Sequence, residues 1–274
     1  MSAHPSDPID HARGAAAKAA NSTWFEYVAR VGYVMAGLVH AMIGWICLRL
    51  GLSGSGGESA DQSGALAEFA QAPAGAILLI IGGIAMAALA VTHILDIVFG
   101  RARGEIADSA KALGKASAYA ALAFTAFRFG TGDPSSSGDS AESMTAPLLG
   151  SGPGRAVVIV VGLIIVAIGI YHIYKGVTRK FRQDLNPAGD HTVNRVIDKT
   201  GLVGYVAKGA ALAGVGIMVM WASISADSDK ARGLDAAFKQ VLDLPAGGIL
   251  LAAIGIGFIL YGAYSVLRAK YQEM

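Results

Sequence analysis

Cysteine is almost absent from this chain: Cys47 stands alone among 274 residues, which excludes an intrachain disulfide and any metal centre built from several thiolates. Charged residues are scarce as well, at 15 %. A formal net charge of +2 leaves no electrostatic footprint for a nucleic-acid partner. Catalytic signatures that can be read from spacing are missing too. The sequence has no Gly-x-Ser-x-Gly elbow, no His-Glu-x-x-His pair, no Gly-rich Lys loop and no acidic cluster for hard cations, so it predicts a protein that is not an enzyme. The first 22 residues are polar and Ala-rich without an apolar centre. They do not read as a secretory signal peptide, and the first apolar segment is expected to stay as an anchor.

What the chain does have is apolar surface and glycine. Apolar residues make up 54 %, glycines number 36, and the mean hydropathy is +0.51, a membrane composition. Six apolar stretches approach the roughly 20 residues needed to cross a hydrocarbon core of about 30 Å: 31–52, 76–99, 112–129, 156–177, 202–224 and 247–267. The third is short and Ala-rich with a basic approach through Lys111 and Lys115, and its case rests on a repeat.

That repeat is threefold. Small residues recur every seven positions in the first span of each copy, as Gly37, Gly44 and Gly51, then Ala116, Ala123 and Gly130, then Gly209, Gly216 and Ser223. The second spans carry Gly83 and Ala90, then Gly162, Gly169 and Gly176, then Gly255, Gly262 and Ala269. Helices in lipid associate through close packing, and small residues on one stripe let their backbones approach. The glycines are therefore expected to pack helices; lining a narrow axial pore is the alternative. Pro73, Pro153 and Pro245 precede each second span, where proline suits a first helical turn. The connections before them read as short interfacial helices over 64–72 and 233–244, whereas the Gly/Ser/Asp-rich run 131–143 of the middle copy reads as a loop. These signals divide the chain into a polar tail (1–23) and copies at 24–104, 105–185 and 186–274. Two spans per copy make the copies parallel, so the predicted fold is an all-α membrane protein of six transmembrane helices around a pseudo-threefold axis.

Sixteen of the 22 basic residues fall on one side of such an arrangement, in the tail, around Arg101 and Arg103, between Lys175 and Lys208, and at Arg268 and Lys270. The opposite connections hold acids, among them Glu58, Asp61, Asp133, Asp139, Glu142, Asp235 and Asp243. By the positive-inside rule both termini are expected on the cytoplasmic side.

Ionisable groups at membrane depth are functional candidates. His40 lies near the middle of the first span; His93 and His172 are equivalent to each other, followed one turn later by Asp96, Lys175 and Arg268, and preceded by Tyr171 and Tyr264. Two readings stand for this layer. It relays protons or binds a metal or haem iron through imidazole, or it pairs internally near the inner interface, Asp96 being satisfied by Lys175 or Arg268.

The openings 28–37 (VARVGYVMAG) and 204–209 (GYVAKG), and the closings 169–174 (GIYHIY) and 262–267 (GAYSVL), resemble domain-of-unknown-function family 1206, a bacterial membrane unit of two helices occurring in three tandem copies. The resemblance implies a fold and a membrane location, and brings no activity, cofactor or functional residue. On the residues, the expected function is a non-enzymatic protein that binds a membrane-protein partner or stabilises a complex within the lipid bilayer. A small-solute or proton pathway, and haem or metal binding by the histidines, are the alternatives.

Overall fold

The computed structural model describes residues 23–54, 59–98, 106–133 and 137–272. The tail, Glu58, Arg101, Arg103 and the side chains of Asp96 and Lys111 lie outside the described residues. Among those described, the chain is all-helical, with nine α-helices. They are α1 (Thr23–Ser53), α2 (Gln62–Gln71), α3 (Gly75–Val98), α4 (Ile106–Gly130), α5 (Ser137–Leu149), α6 (Gly152–Val177), α7 (His191–Ser225), α8 (Leu234–Leu242) and α9 (Gly247–Tyr271). Five of the long helices, α1, α3, α6, α7 and α9, are long and apolar enough to cross a membrane. The third expected span, within α4, has the length but falls short in apolarity, because Asp108, Lys111, Lys115 and Arg128 dilute it.

Side-chain caps fix where several helices begin. Asp61 Oδ1 accepts the Gly64 amide (2.9 Å) at α2, Ser151 Oγ accepts Gly154 N (3.2 Å) at α6, and Asp190 Oδ1 accepts Thr192 N (2.6 Å) at α7. Each satisfies a donor that the first turn leaves without a partner.

Helices α1 and α9 form the most extensive pair, followed by α6 with α7 and α3 with α4. Each pair joins the second long helix of one copy to the first long helix of another. The approach is backbone to backbone. A Cβ on Gly44 would lie 2.5 Å from the Gly255 carbonyl oxygen, and one on Gly37 would lie 2.8 Å from that of Gly262. Between α6 and α7, a Cβ on Gly169 would meet Gly209 O at 2.7 Å, and one on Gly216 would meet Gly162 O at 2.7 Å. Ser223 Oγ donates to Arg155 O (2.9 Å) where Gly51 meets Gly248 in the other pair. Additional contacts link α9 to α7 and, more sparingly, α1 to α3, giving the series α4–α3–α1–α9–α7–α6. Among the described residues α4 and α6, the two ends of this series, make almost no direct contact although they belong to one copy.

The short helices gather at one end of the bundle. They do more than lie on the surface. Phe238 of α8 is buried among Ile43, Ile46, Cys47, Leu50, Leu251 and Phe258, and Ala60 N donates to Asp235 Oδ1 (2.9 Å), tying the first connection to the third. The middle connection corrects the sequence reading: α5 stands where a loop was expected over much of 131–143. Its helix is held by tertiary contacts that propensity does not encode. Leu149 packs with Val158, Val215, Met218 and Ala237, and Arg232 bridges to Asp139 and Glu142.

Candidate functional site

At the end opposite the short helices, α7 and α9 bring three tyrosines together with Phe181 of the 3-10 turn Lys180–Asp184. Phe181 and Tyr264 are fully buried. Tyr205 stacks on Phe181 (5.5 Å between centroids) and meets Tyr261 and Tyr264 edge-on at 5.2 and 5.4 Å. The turn is anchored further by Asn186 N donating to Tyr271 O (2.8 Å). Charges ring this aromatic core. Lys175 Nζ lies 2.7 Å from Asp184 Oδ2, Arg268 approaches the same oxygen at 3.8 Å, and the Arg268 guanidinium sits 4.8 Å from the Tyr33 ring centroid. Lys175 and Arg268 share the carboxylate of Asp184, in the connection; the Asp96 side chain, expected to meet one of these cations, lies outside the described residues. A connection side chain folds back over the helix ends, and no helical register foretells that. On the same rim Lys180 lies over the Tyr174 ring (4.8 Å), and its hydrogen bond with Tyr174 pushes its ammonium pKa up.

Each histidine rests on its own aromatic neighbours. His40 Nδ1 is 2.6 Å from Ala36 O, and its ring lies 4.8 Å from Tyr261 and 6.0 Å from Phe258. His172 Nδ1 is 2.8 Å from Ile168 O and its ring stacks on Tyr205 at 5.8 Å. His93 stacks on Tyr119 at 5.6 Å. Tyr171 is largely exposed at the bundle surface, beside His172. Among the described residues no three His, Cys, Asp or Glu side chains converge.

His40 instead lines a cavity of about 470 Å³. Its wall takes Met35, Val39 and Ile43 from α1, Leu79 and Met86 from α3, Leu122 and Ala126 from α4, Leu212 from α7 and Phe258 from α9; Asp61, Leu66, Arg232 and Leu234 close the lidded end. One polar group there was missed. Lys208, which charge counting assigns to the basic connection, lies inside α7 and lines the cavity, its Nζ 3.4 Å from Tyr261 Oη and 4.4 Å from that ring's centroid. The signal was legible, since residue 208 falls within the expected span 202–224. A cavity of this size, mostly apolar with a few convergent polar groups, is the usual form of a small-molecule site.

Comparison with known proteins agrees with the repeat. The sequence profile of a family described as Domain of Unknown Function (DUF1206) matches three times, over residues 31–99, 110–179 and 203–272. A Bacillus subtilis (strain 168) protein, named as the uncharacterized protein YxxB, is 26 % identical over 259 residues, which span 92 % of each chain. No solved structure matches.

Proposed function

The chain belongs to the DUF1206 family, and from that membership and the helix packing we propose that it is a six-span protein of a bacterial inner membrane that works by binding, not catalysis. The six spans form three pairs packed on small residues and related by a pseudo-threefold axis, from which the second copy departs by splaying α4 from α6. In this reading α4 is a span despite its charges, because it takes the place in its pair that α1 and α7 take in theirs. The lidded end, rich in Asp and Glu, faces outward, and the basic end carrying 179–199 and both termini faces the cytoplasm.

The observation that carries the binding reading is the cavity inside the bundle, apolar over most of its wall and polar at His40 and Lys208. A membrane-protein partner is the second reading, favoured by α6, which packs on α7 along one stripe and leaves a continuous apolar face including Val160, Ile164 and Ile168. Native mass spectrometry of the protein gently extracted from its own host separates the two. A bound non-protein mass of a few hundred daltons is the expected result. A retained protein subunit would favour the partner, and a bare chain that passes ions or solutes in liposomes would overturn both in favour of a pathway.

A further inference from the structure

Within that binding reading, the cavity also indicates what it binds. Its walls are Met, Leu, Val, Ile and Ala side chains, so the body of a ligand must be apolar. Its charged groups are not equally available. At the lidded end Arg232 is engaged by Asp139 and Glu142, and Asp61 Oδ1 accepts from Ser63 Oγ (2.6 Å) and Gly64 N (2.9 Å). At the other end Lys208 has no carboxylate partner among the described residues. Among the described residues it meets the hydroxyl and ring face of Tyr261. An ammonium there retains N–H donors with nothing to receive them, and a charge withdrawn from water needs an acceptor.

His40 supplies the complement. With Nδ1 held 2.6 Å from the Ala36 carbonyl, that nitrogen must donate, which leaves Nε2 as an acceptor. Lys208 and His40 both pack against the Tyr261 ring, at 4.4 and 4.8 Å. One donor and one acceptor meeting at an aromatic platform match a carboxyl group, whose carbonyl oxygen accepts from lysine while its proton lies between oxygen and imidazole.

We propose that the cavity holds a fatty acid, with its carboxyl group at Lys208 and His40 and its alkyl chain running toward the lid of α2 and α8. Its source is the bilayer. The helix series ends at α4 on one side of the cavity, and α4 and α6 make almost no contact, so lipid reaches this flank sideways.

The test titrates the full-length protein in a non-ionic detergent with hexadecanoate, hexadecanol and hexadecyl phosphate, reading stoichiometry and affinity from intact complexes by mass spectrometry. Hexadecanoate is expected to bind one per chain and at least tenfold more tightly than the alcohol. Lys208→Met removes that preference and Lys208→Arg keeps it. Equal affinity for acid and alcohol, tighter binding of the phosphate, or a preference that survives Lys208→Met overturns the carboxyl assignment while leaving a binding chamber. If none of the three chains binds, the fatty-acid proposal fails, and the mass retained in the native extract decides the binding reading separately. Should Lys208→Met not fold, the head-group comparison on the wild-type protein still decides.

Discussion

Gly44 and Gly114 are both glycines inside long helices, yet they answer to different forces. Any side chain on Gly44 runs into the Gly255 carbonyl and the Ile259 backbone, whereas a Cβ on Gly114 would find nothing within 4 Å. Gly44→Leu should therefore separate α1 from α9 and lower stability by about 1–3 kcal/mol or more. Gly114→Ala should be neutral or stabilising by up to about 1 kcal/mol through helix propensity. Thermal unfolding of both variants in detergent checks the contrast, and equal melting temperatures would sink it. The seven-residue spacing showed which small residues share a stripe, but only coordinates tell which stripe meets which. The same holds for charge. Lys175 and Arg268 were visible as intramembrane cations, while their partner Asp184 was hidden in a connection whose path depends on Phe181 being swallowed by the tyrosine cluster.

Short helices mattered more than their composition suggested. Helices were expected over 64–72 and 233–244 from apolar spacing and stand at Gln62–Gln71 and Leu234–Leu242, but α8 also drives Phe238 into a buried cluster against Ile43, Ile46 and Leu251. Phe238→Ala should cost about 3–5 kcal/mol, and because Phe238 contacts Phe258 of the cavity wall (6.1 Å between ring centroids), it should also loosen the lid. Hydrogen exchange read by mass spectrometry would show this as faster exchange over α2 and α8, with α6 unchanged. Helix α5 was illegible in a run of Ser, Gly and Asp because its stability comes from elsewhere, from Arg232 and from the pocket that receives Leu149. Arg232→Ala removes the bridges from α5's Asp139 and Glu142 to the third connection. The expected outcome is a loss of protection confined to α5, of about 1 kcal/mol for half-exposed pairs.

Orientation belongs to the molecule as a whole, and the proposed one rests on charge placed at opposite ends of one bundle. In a Cys47→Ala background, a membrane-impermeant maleimide applied to intact cells should label Asp243→Cys and spare Arg195→Cys. The reverse pattern would invert the proposed topology. Fold class and repeat number were open to reading because both are written in period and length. The order of packing was not, since which copy embraces which is a matter of three-dimensional closure with no local trace.

That order carries a consequence for how the protein is made. The partner of α1 is α9, so α1 finds its counterpart only after every helix between them has been synthesised. Until then the stripe of Gly37, Gly44 and Gly51 lacks the backbone that fills its groove. A chain cut short before α9 keeps α1 an orphan, and that vacant stripe is the mark by which surveillance proteases could recognise it.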